Sequence, residues 1–207
     1  MPIRCILFDL DNTLIDRDFA FEKYMEAAFS EGGKPEIWQQ HKVTILEKDN
    51  HGFTSRRDFF DWLRRTYQLD DSFMQFFDGH LVGTYTAPSC KGIVSVLKQL
   101  SAYYKVGILS NGGVQNQQLK LKRSGLGDFF DSNNIFISGA LGCAKPDLQI
   151  FRKVESQLGF SSDALLIIGD DPQNDIEGGE KAGWSTCHFE YRQGAQQLRQ
   201  KVEATLI

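Results

Sequence analysis

Asp9 and Asp11 stand one residue apart at the end of the apolar run Ile6-Leu7-Phe8. On a strand, side chains two apart share a face, and at its C-terminal end both can enter one crevice. Carboxylates this close disfavour each other's ionisation unless a cation or hydrogen-bond donors stand between them. A hard dication such as Mg²⁺, which takes carboxylates together with water and phosphate oxygens, relieves that repulsion. Three later segments carry compatible groups. Ser110-Asn111-Gly112-Gly113 offers a hydroxyl, an amide and backbone N–H groups able to cradle a phosphate. Lys145-Pro146-Asp147 supplies an ammonium that could neutralise phosphate charge, with Pro146 expected at the first position of a helix. Gly169-Asp170-Asp171-Pro172-Gln173-Asn174-Asp175 adds an acidic cluster. Each segment has an ordinary explanation as an Asx turn, a strand-to-helix turn, a solvated lysine or an acidic helix start. In this order they also make up a nucleophile, a phosphate cradle, a charge neutraliser and a metal anchor, the parts of metal-assisted phosphoryl transfer.

The elements that must position these groups follow from hydrophobic spacing. From Pro88 onward, helical patterns alternate with short apolar runs, which argues for a parallel sheet. Strands are expected at Tyr104 to Leu109, Ile135 to Ile137, Ala164 to Ile168 and around Thr186 to Phe189. Helices are expected at Ile93 to Leu100, Leu148 to Leu158, Asp175 to Ala182 and Ala195 to Ala204. Residues 16–86 read differently, as consecutive helices. Phe21, Tyr24, Met25, Ala28 and Phe29 recur at helical spacing, as do Phe59, Phe60, Leu63 and Tyr67, and again Phe73, Phe76, Phe77 and Leu81. A weaker helix lies near Ile37 to Lys48, and Thr54 or Ser55 can cap the one after it. The fold class is therefore α/β: a parallel-sheet core of residues 1–15 and 87–207, with residues 16–86 inserted as an α-helical cap.

Composition narrows the function. A chain of 207 residues can bury a sizeable core, and its net charge of −4 provides no broad basic field, so no nucleic-acid partner is expected. The N-terminal residues lead straight into a strand-like run without a signal-peptide pattern, and no apolar stretch is long enough to span a bilayer. A cytoplasmic protein with no membrane partner is the expectation. Cys5, Cys90, Cys143 and Cys187 lack paired spacing and read as reduced thiols; His41, His51, His80 and His188 show no ligand spacing.

Taken together, Asp9-Leu10-Asp11-Asn12-Thr13, Ser110-Asn111, Lys145-Pro146-Asp147 and Gly169-Asp170 to Asp175 resemble, in order, the four motifs of the haloacid dehalogenase (HAD) superfamily of hydrolases. The resemblance covers essentially the whole chain and implies a Rossmann-like core, a helical cap inserted after the first strand, and Mg²⁺ as cofactor. By position it makes Asp9 the nucleophile that becomes an aspartyl-phosphate and Asp11 the general acid/base. Ser110, Asn111 and Lys145 would bind the transferring phosphoryl group, Lys145 also orienting Asp9. Asp170 would ligate the metal with Asp9 and the Asp11 backbone carbonyl, and Asp175 would contribute from a second shell or through water. Asp171 receives no role. Dehalogenases of the superfamily attack carbon and typically lack an acid two positions after the nucleophile, so Asp11 favours a phosphatase. A phosphomutase on the same scaffold and a non-enzymatic regulatory module are the competing readings. The expected substrate is a small phosphorylated metabolite.

Overall fold

The strand Cys5–Phe8 (β1) is the centre of the core because every one of its side chains is fully buried. In the computed structural model, which describes residues 2–74 and 91–206, it pairs in parallel with Lys105–Ser110 (β2) on one side and Leu165–Gly169 (β4) on the other. Ile135–Ile137 (β3) lies beyond β2, and Ser185–His188 (β5) lies beyond β4. The order β3-β2-β1-β4-β5, parallel throughout, is that of a Rossmann-like sheet. Period-two alternation splits β1 between two cores. Ile6 and Phe8 pack with Ile93, Val96 and Leu97 of the helix Lys91–Ser101 and with Leu198 and Val202 of the helix Gly194–Leu206. Cys5 and Leu7 pack with Ile150, Phe151 and Val154 of the helix Leu148–Leu158, and with Trp184. With both faces covered, the central strands read as unbroken apolar runs.

The chain groups into two compact units, Met1–Asp16 with Ala87–Ile207, and Arg17–Thr86. The second is helical, with Arg17–Glu31, Pro35–Asp49 and Arg56–Tyr67. Its core is aromatic: Phe29 stacks on Trp38 with ring centroids 6.2 Å apart, and Phe21 meets Phe59 edge-on at 5.7 Å. Buried Arg17 gives both guanidinium nitrogens to Asp49 and lies over the Phe21 ring, so its charge is paired inside this unit. Pro35 in the first turn starts the second helix and Asn50, at positive φ, ends it; Ser55 Oγ caps the third through the Asp58 N–H at 3.1 Å. Of the helix expected from Phe73, Phe76, Phe77 and Leu81, only Phe73 falls within the described residues, and it is buried. Cys90 and His80 lie outside them, while Cys5, Cys143 and Cys187 are free thiols. Among the described residues no helix is long and apolar enough to cross a membrane.

Two local expectations change. The helix after Lys145 begins at Leu148, not at Pro146, because Asp147 is its N-cap and accepts the Gln149 N–H at 2.9 Å. The stretch expected as one helix from Asp175 to Ala182 is a π-type turn, Pro172–Glu177, followed by the α-helical Gly178–Ala182.

Candidate active site

Strand order reverses between β1 and β4, so the crevice beyond their C-terminal ends is where an open α/β sheet can receive a ligand. Asp9 directly follows β1, Asp170 directly follows β4, and Ser110 is the last residue of β2. The Asp9 N–H donates to Ile168 O at 2.8 Å, so the ladder holds the backbone up to the carboxylate itself.

Lys145 brings the segments together. Its buried ammonium donates to Asp9 Oδ1 at 2.8 Å and to Asp175 Oδ1 at 2.5 Å. Burial alone would favour its neutral form, but Asp175 and Asp9 outweigh that and hold it above the usual lysine range. Asp175 accepts again at Oδ2 from the Asp171 N–H at 3.1 Å, so both of its oxygens are engaged. Gly169 makes room for this: a Cβ there would collide with the Asp175 carboxylate.

Oxygens of Asp9, Asp170 and Asp175 lie within 4.8 Å of one another, a donor set suited to a hard dication. Desolvation pushes Asp9 up to about 7, with the charges of Asp175 and Asp11 adding to the rise and Lys145 opposing it. Asp170 rises to about 8, through desolvation and then the charge of Asp9, although it accepts the Thr13 hydroxyl at 2.8 Å. Without a cation, protons take the place of positive charge here. Asp9, Asp11, Asp170 and Asp175 against Lys120 and Lys145 leave an excess of negative charge equal to that of one dication. Both oxygens of Asp175 accept, from Lys145 and the Asp171 N–H, whereas Lys145 holds Asp9 at Oδ1 and Thr13 holds Asp170 at Oδ1.

The phosphate-cradle segment divides its work. Ser110 Oγ is buried and accepts from Gln117 Nε2 at 2.6 Å. Asn111 instead faces the backbone of Lys145, donating from Nδ2 to its carbonyl and accepting its N–H, both at 2.9 Å. The Gly112 N–H, expected to be available to a phosphate, is taken by Ser138 Oγ at 2.9 Å. Asp171, without a role from sequence, is the N-cap of the turn Pro172–Glu177; its carboxylate accepts the Gln173 and Asn174 N–H groups, both at 2.8 Å.

Two residues at the site carry no motif. Lys120 Nζ lies 2.7 and 2.6 Å from the two carboxylate oxygens of Asp11, and Gln117 Nε2 lies 3.0 Å from Asp11 Oδ2. Both sit on the helix Val114–Arg123, three residues apart and hence on one face.

Residues 3–183 match the family model of haloacid dehalogenase-like hydrolases, and the chain belongs to that family. It is 29% identical to pyrimidine 5'-nucleotidase PynA of Streptococcus pneumoniae, over 91% of this chain and 84% of that protein. It is 25% identical to a glyceraldehyde 3-phosphate phosphatase of Pyrococcus abyssi, over 91% and 82%. Among solved structures it resembles the HAD-hydrolase YfnB of Bacillus subtilis, determined bound to magnesium, with a TM-score of 0.72 and 27% identity over 91% of this chain and 87% of that one.

Proposed function

We propose that this hydrolase is a Mg²⁺-dependent phosphatase that cleaves a small phosphorylated metabolite through an aspartyl-phosphate on Asp9. The observation that carries the reading is the buried Asp9 carboxylate, held at one oxygen by Lys145 and clustered with Asp170. A carboxylate is a weak nucleophile in water, and fixed orientation together with local positive charge is what makes it competent. In the first step an Asp9 oxygen bonds to phosphorus as the ester P–O bond breaks, and Asp11 gives its proton to the leaving alkoxide. In the second, Asp11 takes a proton from water as that water attacks phosphorus, and inorganic phosphate leaves with Asp9 restored. Ser110 donates its hydroxyl to the transferring group, Lys145 balances its charge, and Asn111 holds the Lys145 backbone in place. When bound by Asp9, Asp170 and the Asp11 carbonyl, with Asp175 behind them, Mg²⁺ supplies charge stabilisation to the transferring phosphoryl group.

Residues 16–86 are proposed as the cap that selects the leaving group. Small phosphate monoesters fit the named substrates of the nucleotidase and phosphatase relatives. A cytoplasmic setting, where such metabolites abound and thiols stay reduced, fits the free Cys5, Cys143 and Cys187. Assembly of Asp9, Asp11, Lys145 and Asp170 in one site favours an enzyme over a regulatory module.

Turnover of an aryl phosphate, measured with Mg²⁺ and after exhaustive chelation, tests the reading. Activity abolished by EDTA and restored by Mg²⁺ is expected, with an 80 Da adduct expected on Asp9 in quenched samples on the order of one phosphoryl group per chain. Full activity in chelator would remove Asp170 from the metal site. A panel of phosphorylated metabolites then identifies the leaving group.

A further inference from the structure

We propose that Gln117 and Lys120 are positioning residues for this reaction, setting the proton of Ser110 and the carboxyl of Asp11 from one face of the helix Val114–Arg123. The inference rests on the phosphatase reading above. Gln117 is 1% exposed, and its amide nitrogen reaches Ser110 Oγ at 2.6 Å, Asp11 Oδ2 at 3.0 Å and Asn111 O at 3.1 Å. Nε2 is the atom that must face them, because a carboxylate and a carbonyl can only accept. The two amide hydrogens face three acceptors, and the shortest approach, to Ser110 Oγ, makes that hydroxyl an acceptor whose own hydrogen can turn towards a phosphoryl oxygen. An apolar residue in place of Gln117 would remove the donor that orients this hydroxyl.

Lys120 acts on Asp11 alone. Its Nζ spans both carboxylate oxygens, at 2.7 and 2.6 Å, while Gln117 donates to one of them. These donors restrict rotation of a side chain that has to serve the leaving group in one step and water in the next. Gln117 thus joins the phosphate cradle to the acid/base, and Lys120 holds the acid/base only.

The two roles predict different kinetic signatures. Lys120→Met should lower kcat on an alkyl phosphate, whose leaving group needs a proton, by roughly 10- to 100-fold, the worth of a hydrogen bond from a charged ammonium. An aryl phosphate with a good leaving group should lose several-fold less in its first step, read as the burst rate, and Lys120→Arg should restore much of the alkyl activity. Gln117→Met, close in volume, should reduce the burst rate on both substrates, with kcat falling more than KM changes. Its effect on the aryl burst rate, a step that needs little from Asp11, should shrink in a Ser110→Ala background, because there the Gln117–Ser110 hydrogen bond is the contact that counts.

Equal losses on alkyl and aryl esters in Lys120→Met, or additive losses in the aryl burst rate for Gln117→Met and Ser110→Ala, would overturn the inference. Lys120 is partly exposed, so Lys120→Met keeps the test decisive even if Gln117→Met fails to fold. Wild-type protein run alongside separates the two levels of the reading. Absence of turnover and of an Asp9 adduct in the wild type defeats the phosphatase assignment, and with it this inference. An active, labelled wild type with uniform losses in the variants defeats the positioning role alone.

Discussion

Lys145 and Asp175 face each other at 2.5 Å with both side chains almost fully buried. Through this contact Asp175 ties two segments together. One of its oxygens holds the ammonium that also pins Asp9, and the other holds the Asp171 N–H at the start of the turn Pro172–Glu177. Removing that charge disturbs Lys145, the turn and the acidic cluster together.

Asp175→Asn should therefore destabilise the metal-free protein by about 2–3 kcal/mol, since an amide can satisfy only part of what the carboxylate accepts. Urea denaturation in chelator measures this, and a loss below about 0.5 kcal/mol would contradict the pairing. Lys145→Met should cost roughly 10²-fold or more in turnover, because the charge proposed to balance the phosphoryl group is lost.

The raised carboxyls give a pH dependence with a definite sign. Asp9 at about 7 and Asp170 at about 8, against an ordinary 3.8, bind more protons in the folded than in the unfolded state over that window. Stability of the metal-free protein should then be greatest near pH 4 with respect to these groups, and should decline as pH rises towards 8. Each group contributes a slope of at most about 1.4 kcal/mol per pH unit. Saturating Mg²⁺ should flatten the decline, because a cation replaces the protons. Melting temperatures across pH 5 to 8, with chelator and with Mg²⁺, provide the check; parallel curves would refute it.

How the site was legible follows from where its information resides. Asp9, Ser110, Lys145 and Asp170 stand at strand ends or in loops, where a polar residue interrupts an apolar run and is visible in one dimension. Gln117 and Lys120 lie inside a helix, where polar residues usually mean a solvated face; only the burial of Gln117 reveals that this face turns inward. One sequence signal was available, a pair three residues apart on the helix that follows the Ser110 loop. Asp171 was also readable, because an Asp immediately before a Pro is a common way to start a helix. The π-type turn at Pro172–Glu177 was not, since periodicity cannot distinguish it from the α-helix that continues it.

Asp11→Asn should separate the two chemical steps. It keeps the backbone carbonyl and nearly the same volume but removes proton transfer, worth about 10²- to 10⁴-fold. With an activated aryl phosphate the variant should release a burst of phenol and accumulate phosphate on Asp9, visible by intact mass. Asp9→Asn should give neither burst nor adduct. Steady turnover of Asp11→Asn at the wild-type rate would exclude Asp11 as the acid/base.

Gly169 offers a backbone test. A methyl group there collides with the Asp175 carboxylate, so Gly169→Ala must displace either the side chain or the end of β4. A cost of about 1–3 kcal/mol is expected, as for overpacking elsewhere, along with weaker Mg²⁺ binding by calorimetry. Unchanged affinity would show that Asp175 has no part in holding the metal.

The position of β1 also has a consequence for synthesis of the chain. Cys5 pairs with Lys105 on one side and with Leu165 on the other. The central strand is thus made before either neighbour and acquires its second only after some 160 residues have followed, on the order of ten seconds at ordinary elongation rates. Residues 17–86 can bury Phe21, Phe29, Trp38 and Phe59 against one another well before then, because that cluster is contiguous in sequence. Until β4 arrives, Cys5-Ile6-Leu7-Phe8 keeps at least one edge unpaired in a nascent chain, the kind of apolar segment that chaperones bind, and Asp9 beside it lacks its backbone hydrogen bond to Ile168.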